Sequence, residues 1–228
     1  PTRFVDGVGQ VAWFTVTAIG QIPHALRYYR KATLRLIAEI GMGTGAMAVA
    51  GGTVAIVGFV TLSGGSLIAI QGYASLGNIG VEAFTVFVAA LVNVRVVAPL
   101  VSGHALAATV GAGATAELGA MRIAEEIDAL EVIGIRSVTY LAATRVLAGV
   151  VVVIPLYCIA VMMAFFAARF GTTVIYGQGS GVYDHYFGTF LSPTDLIWSF
   201  FQCLAMTVMI MLVHTYYGFT AAGGPAGV

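Results

Sequence analysis

The stretch ELGAMRIAEEIDALEVIGI, residues 117–135, holds five of the chain's ten acids: Glu117, Glu125, Glu126, Asp128 and Glu131. Arg122 is the one base among them. Carboxylates gathered this way can act as general bases, keep a loop helix in water, or present charge to a partner protein. The first use would set Glu126 or Asp128 against a lipid substrate. The second asks only for solvent. The third calls for an apolar stripe beside the acids, and Ala120, Ile123, Ala124, Ile127 and Leu130 recur at helical spacing. The pattern predicts one helix over 117–133, about 25 Å long at 1.5 Å per residue. In it Arg122 pairs with Glu126 at i,i+4, and Gly134 supplies the C-terminal stop.

Other catalytic chemistry has little to stand on. Lys31, the only lysine, lies in YYRKATL, so no phosphate-binding G-x-x-x-x-G-K-[ST] loop occurs. H-E-x-x-H is missing from the sequence, and neither Ser66 nor Ser180 sits in G-x-S-x-G. GQGSG (177–181) reads as a flexible outer loop. His24, His185 and His214 do not cluster with Cys or acids at metal-ligand spacing. Cys158 and Cys203 lie in apolar runs and read as small buried hydrophobes.

The elements that must hold the acidic stretch are oily. The 228 residues are 59% hydrophobic and 9% charged, with mean hydropathy +0.96, where soluble domains carry about 25% charge. The runs 40–81, 96–116, 146–168 and 196–228 contain no Asp, Glu, Lys or Arg, and about 20 apolar residues cross a bilayer as a helix. Runs this long lack the alternation of a barrel. The chain therefore reads as an all-α, polytopic membrane protein. Formal net charge is zero, so no basic field points to nucleic acid.

Residues 4–22 form a mildly apolar segment ended by Pro23. From His24 to Ile40, Leu26, Tyr29, Thr33, Leu36, Ile37 and Ile40 line one side and Arg27, Arg30, Lys31 and Arg35 the other, the pattern of an interfacial helix. Two regions result: interfacial helices over 1–40 and a transmembrane domain over 41–228. The first span lies within 45–70, with Gly41-x-x-x-Gly45 and Gly51-Gly52 as small-residue pairs. QGYASLGNIG (71–80) reads as an outer turn. A second span over 83–116 is long or broken around Pro99. Residues 146–168, between Arg145 and Arg169, make the third, and 196–216 the fourth. By the positive-inside rule the N-terminus and 117–145 lie in the cytoplasm and 71–82 and 170–195 outside. Tyr176, Tyr183, Tyr186, Trp198, Tyr216 and Tyr217 read as interfacial aromatics.

Three polar residues fall near or within the spans. Arg95 faces a lipid path, pairs with a partner such as Glu82, or snorkels. Glu82 reads as an external loop residue, and His104 as a lining or helix-packing side chain.

TAELGAMRIAEEIDALEVIGI followed by YLAATRVLAGVVVVIPL resembles the signature of the MlaE/YrbE permease family, the membrane subunits of ABC-type lipid transporters associated with Mce proteins. The resemblance runs from about residue 45 to the end, with QGY (71–73) and YYGFTAAGGPAGV (216–228) similarly placed, and the actinobacterial YrbE branch looks closest. It implies that 117–134 is the coupling segment docking on a cytosolic ATPase, with Glu117, Arg122, Glu125, Glu126, Asp128, Leu130, Glu131 and Gly134 in it. It further implies a second, related permease chain, Mce proteins on the outer side, lipid or fatty-acid import across the inner membrane, and ATP and Mg held by the ATPase rather than by this chain. Arg95, His104 and Glu82 are its candidate lipid-path residues. The sequence departs from the family at Gly103-His104, where many members have Gly-Arg, and at Cys203-Leu204-Ala205-Met206, where some have a lysine. A fifth span beyond Val228, and native residues before Pro1, are expected. The rivals are a secondary transporter, which predicts intramembrane carboxylates, a lipid-modifying enzyme and an assembly scaffold.

Overall fold

In the computed structural model, which describes residues 2–42 and 46–224, the chain is all-α among the described residues. The helices are α1 (Thr2–Gly20), α2 (Ile22–Tyr28), α3 (Arg30–Met42), α4 (Ala46–Gly77), α5 (Thr85–Val92), α6 (Ala98–Leu106), α7 (Ala112–Ile123), α8 (Glu126–Val132), α9 (Thr144–Phe170), α10 (Ser180–Phe190) and α11 (Pro193–Phe219). Four continuous helical stretches are long and apolar enough to cross a membrane: 52–77, 82–123, 138–175 and 193–219. Their solvent-facing side chains include Phe59, Met162, Phe166, Trp198 and Met209. Helices apolar all round belong in lipid. The protein is a polytopic α-helical membrane protein.

Several boundaries move. The turn expected over 71–80 begins only at Asn78, because α4 runs on through Gly77. The second span carries its irregularity as a π-helical turn at Asn93–Val97, where the Ala98 N–H donates to the carbonyl five residues back on Asn93. Pro99 explains it: with no N–H and a ring that crowds the preceding turn, it needs a wider turn before it. Residues 170–195, expected as a loop, contain a π-helical turn at Gly171–Ile175 and the helix α10. The helix expected over 24–40 is interrupted at Tyr29 (φ −112°). Pro23 stands in the first turn of α2, where a missing N–H costs nothing. Ala25 and Thr33 are buried there while Leu26 is exposed. Of the small-residue pairs, Gly45 lies outside the described residues.

Two compact units form. The first comprises 1–50, 106–152 and 206–228. One core cluster in it is Leu118, Ile127 and Leu141, with Met121, Leu130, Tyr140 and Phe219 against them. Phe14 of α1 meets Tyr216 and Phe219 at ring distances of 5.4 and 5.7 Å, and Tyr29 meets Tyr140 at 5.3 Å. Close approach is needed where α7 crosses α11: a Cβ on Gly218 would fall 2.8 Å from the Leu118 Cβ and 2.9 Å from the Thr115 carbonyl oxygen.

The second unit comprises 51–105 and 153–205. In it α10 packs on α5, with Phe190 against Phe87 (4.8 Å) and Phe187 against Phe165 (4.9 Å). Tyr73 stacks on Tyr176 at 4.3 Å. Arg169 pairs with Asp184 at 3.0 Å. Tyr183, expected in an interfacial belt, is buried, and its hydroxyl has no partner. Burial pushes that phenol's pKa up to about 12, opposed by the Arg169 charge and aided by Asp184.

Candidate functional site

The acidic stretch is two helices, not one. Its first part is the end of α7 and its second is α8, with the break at Ala124–Glu125. Glu125 adopts the left-handed conformation (φ 59°, ψ 15°), and among the described residues no other non-glycine has positive φ. For an L-residue that conformation costs roughly 1–2 kcal/mol, so the surrounding packing must hold it. Glu125 turns the chain and resets the helical phase.

That reset changes which residues pack. Leu118 and Ile127 are fully buried, with Met121 and Leu130 beside them. Of the expected stripe, Ala120, Ile123 and Ala124 are exposed instead, because the stripe assumed an unbroken helix. The break also separates Arg122 from Glu126. The guanidinium reaches across it to Asp128, Nη1 to Oδ1, at 2.6 Å.

The far end closes as expected. Gly134 (φ 82°) follows α8, the Ile135 N–H donates to the Leu130 carbonyl (3.0 Å), and the Gly134 N–H donates to the Glu131 carbonyl (3.0 Å). These two bonds make a Schellman cap, which favours glycine at its left-handed position. The Ser137 hydroxyl donates to the Glu131 carboxylate, tying the cap to the turn that opens the third span.

Glu117, at the near end, pairs with Arg145 Nη2 at 2.8 Å. Arg145 was expected to mark an inside loop. It is buried instead, 6% exposed at the side chain against 59% for Glu117, and its Nη1 also donates to the Leu141 carbonyl at 3.0 Å. Within this unit α7 is further held by Thr115, whose hydroxyl lies 2.8 Å from His214 Nδ1 on α11.

All eight residues expected in the segment, from Glu117 to Gly134, thus fall in one unit, with distinct roles. Glu117, Arg122, Asp128 and Glu131 are engaged within the chain. Leu130 packs inward. Gly134 caps the helix. Glu125 and Glu126 are exposed and make no ion pair among the described residues. Two apolar residues that the periodicity passed over complete the surface: Val132 is 87% and Ile133 70% exposed. The signal was in EVIGI, two β-branched residues off the stripe just before a helix-ending glycine. Free carboxylates beside projecting aliphatic side chains suit a partner surface with a basic rim and an apolar pocket.

The other three expected site residues form no common site. At about 1.5 Å per helical residue, Glu82 and Arg95 are separated by about 20 Å, and Arg95 and His104 by about 13 Å. Arg95 sits in the π-helical turn and pairs with Asp195 of α11 at 2.7 Å, not with Glu82. One hundred residues of sequence separate that pair, so adjacency could not reveal it. Glu82 opens the short 3₁₀ turn Glu82–Phe84 and is half-buried. His104 is exposed, its Nδ1 2.7 Å from the Leu100 carbonyl oxygen.

The fold and the segment together define a multi-span helical membrane protein with a solvent-facing, helix-broken acidic elbow between two spans. A family model described as Permease MlaE matches residues 42–228. The chain belongs to the MlaE permease family. Among its relatives are proteins named probable ABC transporter permease protein. The one from Rickettsia bellii is 24% identical over 226 residues, covering 99% of this chain and 83% of the relative. One from Rickettsia prowazekii is 25% identical over 229 residues with the same coverage. The Arabidopsis thaliana protein trigalactosyldiacylglycerol 1, chloroplastic, is 28% identical over 143 residues, covering 62% of this chain and 40% of the relative.

Proposed function

We propose that this chain is the permease subunit of an ABC transporter that imports lipid, and that residues 117–134 dock on a cytosolic ATPase. The observation that carries the reading is the surface of the elbow: Glu125, Glu126, Val132 and Ile133 stand free while every other charged member of the segment is held inside the chain. Family membership and the names of the rickettsial relatives support the transporter class. The name of the Arabidopsis relative contains a galactolipid, which favours lipid as cargo.

Orientation follows from charge. Arg27, Arg30, Lys31 and Arg35 are exposed and belong to the same unit as 117–134 and Arg136, whereas 71–82 and 170–195 belong to the other. The positive-inside rule favours the first unit at the cytoplasmic face of the inner membrane. Residues 1–40 would then lie along that face as interfacial helices. A second, related permease chain would complete the membrane domain, with Mce proteins on the outer side. ATP and Mg would reside on the ATPase.

A docked motor moves the spans only if its nucleotide states bind the segment with different energies. The elbow is built to pass such a bias on. The Glu117–Arg145 pair ties α7 to α9, and the Leu118–Ile127–Leu141 core ties α8 to α7 and to the π-helical turn Val138–Ala143 that leads into α9.

The test is co-purification. The tagged full-length protein, gently solubilised, should bring an ATPase with it, and the Glu125→Lys/Glu126→Lys double variant should lose it. Equal recovery with both would move the docking site elsewhere, and no ATPase with either would sink the ABC reading.

A further inference from the structure

Residues 7–38 contain no Asp or Glu, and their Lys and Arg residues, Arg27, Arg30, Lys31 and Arg35, all fall on α2 and α3. The structure separates these bases into two kinds. Arg35 Nε meets Glu39 Oε1 at 2.6 Å, so its charge is answered within the chain. The other three make no ion pair among the described residues. Arg27 lies over the Tyr28 ring at 5.7 Å, and Arg30 donates from its Nε to the Leu26 carbonyl at 2.8 Å. All three are exposed.

The three free bases share one face. Positions 27, 30, 31 and 34 stand at i, i+3, i+4 and i+7, and the step at Tyr29 keeps that register. The Tyr29 N–H donates to the Ala25 carbonyl and the Thr33 N–H to the Tyr29 carbonyl, both at 2.9 Å. The opposite face packs inward, with Ala25 and Thr33 buried and Tyr29 against Tyr140. The basic face carries apolar side chains as well: Leu34 stands within it, 64% exposed, and Leu26 and Tyr28 flank it, 49% and 64% exposed. Free cations without acids call for an anionic partner, and projecting Leu and Tyr side chains call for an apolar phase beside it. A soluble anion meets only the first demand. The surface of a bilayer that holds anionic phospholipid meets both.

The chain delivers the face to such a surface. Tyr29 rests on Tyr140, in the first turn of the stretch 138–175 that makes the third span. At the other end three residues, 43–45, separate α3 from α4. Their reach holds the end of α3 within about 15 Å of the start of that helix, which goes on to form the first span. Both ends of the face are thus tied to the roots of spans.

We propose that the outer face of α2 and α3 binds the anionic phospholipids of the leaflet it lies in, their phosphates on Arg27, Arg30 and Lys31 and their acyl chains against Leu26, Tyr28 and Leu34. The proposal rests on the reading of residues 1–40 as interfacial helices and names what that interface selects; it depends on neither the cargo nor the motor. Three bases recruit lipid charge, and the fourth, neutralised by Glu39, does not.

The full-length protein in its native assembly is reconstituted in phosphatidylcholine nanodiscs that contain a trace of photoactivatable phosphatidylglycerol, or of the same probe with a choline head group. Adducts within residues 24–38 are then counted by mass spectrometry. The glycerol probe should label this segment well above the choline probe, and the excess should shrink as salt is raised. Arg27→Gln, Arg30→Gln and Lys31→Gln should each lower its yield about fivefold, and the three together should bring it to the choline level. Arg35→Gln/Glu39→Gln, which removes a base without changing net charge, should leave the yield within about twofold. Equal yields for the two probes, or a preference that survives the triple change, overturns the proposal. Competition by soluble glycerol phosphate overturns its membrane half. A triple variant that keeps the lipid preference but sheds another protein chain makes the face a protein contact instead. Co-purification of an ATPase does not enter the readout, so failure here and failure of the motor reading are told apart.

Discussion

Replacing Val132 and Ile133 together by alanine isolates the apolar half of the docking surface. Both side chains point away from the protein, 87% and 70% exposed, so their truncation should leave folding within about 0.5 kcal/mol of the parent. On docking they become buried. The substitutions remove five methyl or methylene groups in all, each worth about 0.8 kcal/mol when fully buried. Scaled by the exposure each loses, the pair contributes about 3 kcal/mol to the complex, on the order of 100-fold in Kd. The assay is the affinity of the purified ATPase for the permease assembly in nanodiscs, at two salt concentrations. The double variant should weaken binding by that factor at both, because apolar burial is insensitive to screening. Glu125→Lys/Glu126→Lys should weaken it more at low salt than at high. A change below about threefold for the alanine pair, with the charge variant still disabling, would refute burial and leave a purely electrostatic contact.

Other perturbations read the elbow and its supports. Glu125→Gly should leave the melting temperature unchanged or higher, whereas Glu125→Val should cost roughly 1–2 kcal/mol because a β-branched residue resists positive φ; thermal unfolding in detergent distinguishes them. Glu117→Gln should destabilise more than Arg145→Met, by about 3 kcal/mol, since it orphans a buried cation while Arg145→Met leaves a carboxylate that is 59% exposed. Gly218→Ala should weaken the assembly, because its Cβ would meet the Leu118 Cβ at 2.8 Å; a melting temperature within a degree of the parent would contradict the close crossing. Tyr183 has its pKa raised to about 12 from 10.0. The unfolded phenol ionises first, so stability is lost as pH rises from about 10 towards 12, and Tyr183→Phe should flatten that alkaline limb without cost at neutral pH.

The spans could be read from composition because length and apolarity are all that a lipid crossing demands: 83–116, 146–168 and 196–216 each fall within a long helical stretch, and the first, expected within 45–70, overlaps the stretch 52–77. The helix cap at Gly134 was equally legible, since positive φ and glycine go together. The break at Glu125 was not. AEEIDALE has good intrinsic helix propensity, and nothing local announces that packing of Leu118 and Ile127 on Leu141 will force one residue left-handed. Periodicity then misled by one phase: it chose Ala120, Ile123 and Ala124 for the buried face and passed over Val132 and Ile133. Rotation of a helix about its own axis is a tertiary quantity when the whole helix is apolar.

Arg145 shows how far that limit reaches. In a sequence it counts as one more positive charge near a span end, interchangeable with Arg136 shortly before it. In the fold Arg136 is exposed and Arg145 is almost wholly enclosed. A positive charge in water marks a side of the membrane and little else. A buried one must be satisfied donor by donor, which makes it a constraint on everything around it. Glu117 answers one nitrogen, the Leu141 carbonyl a second, and the third, Nε, is buried without a partner. The first of those answers also joins α7 to α9 at the root of the elbow.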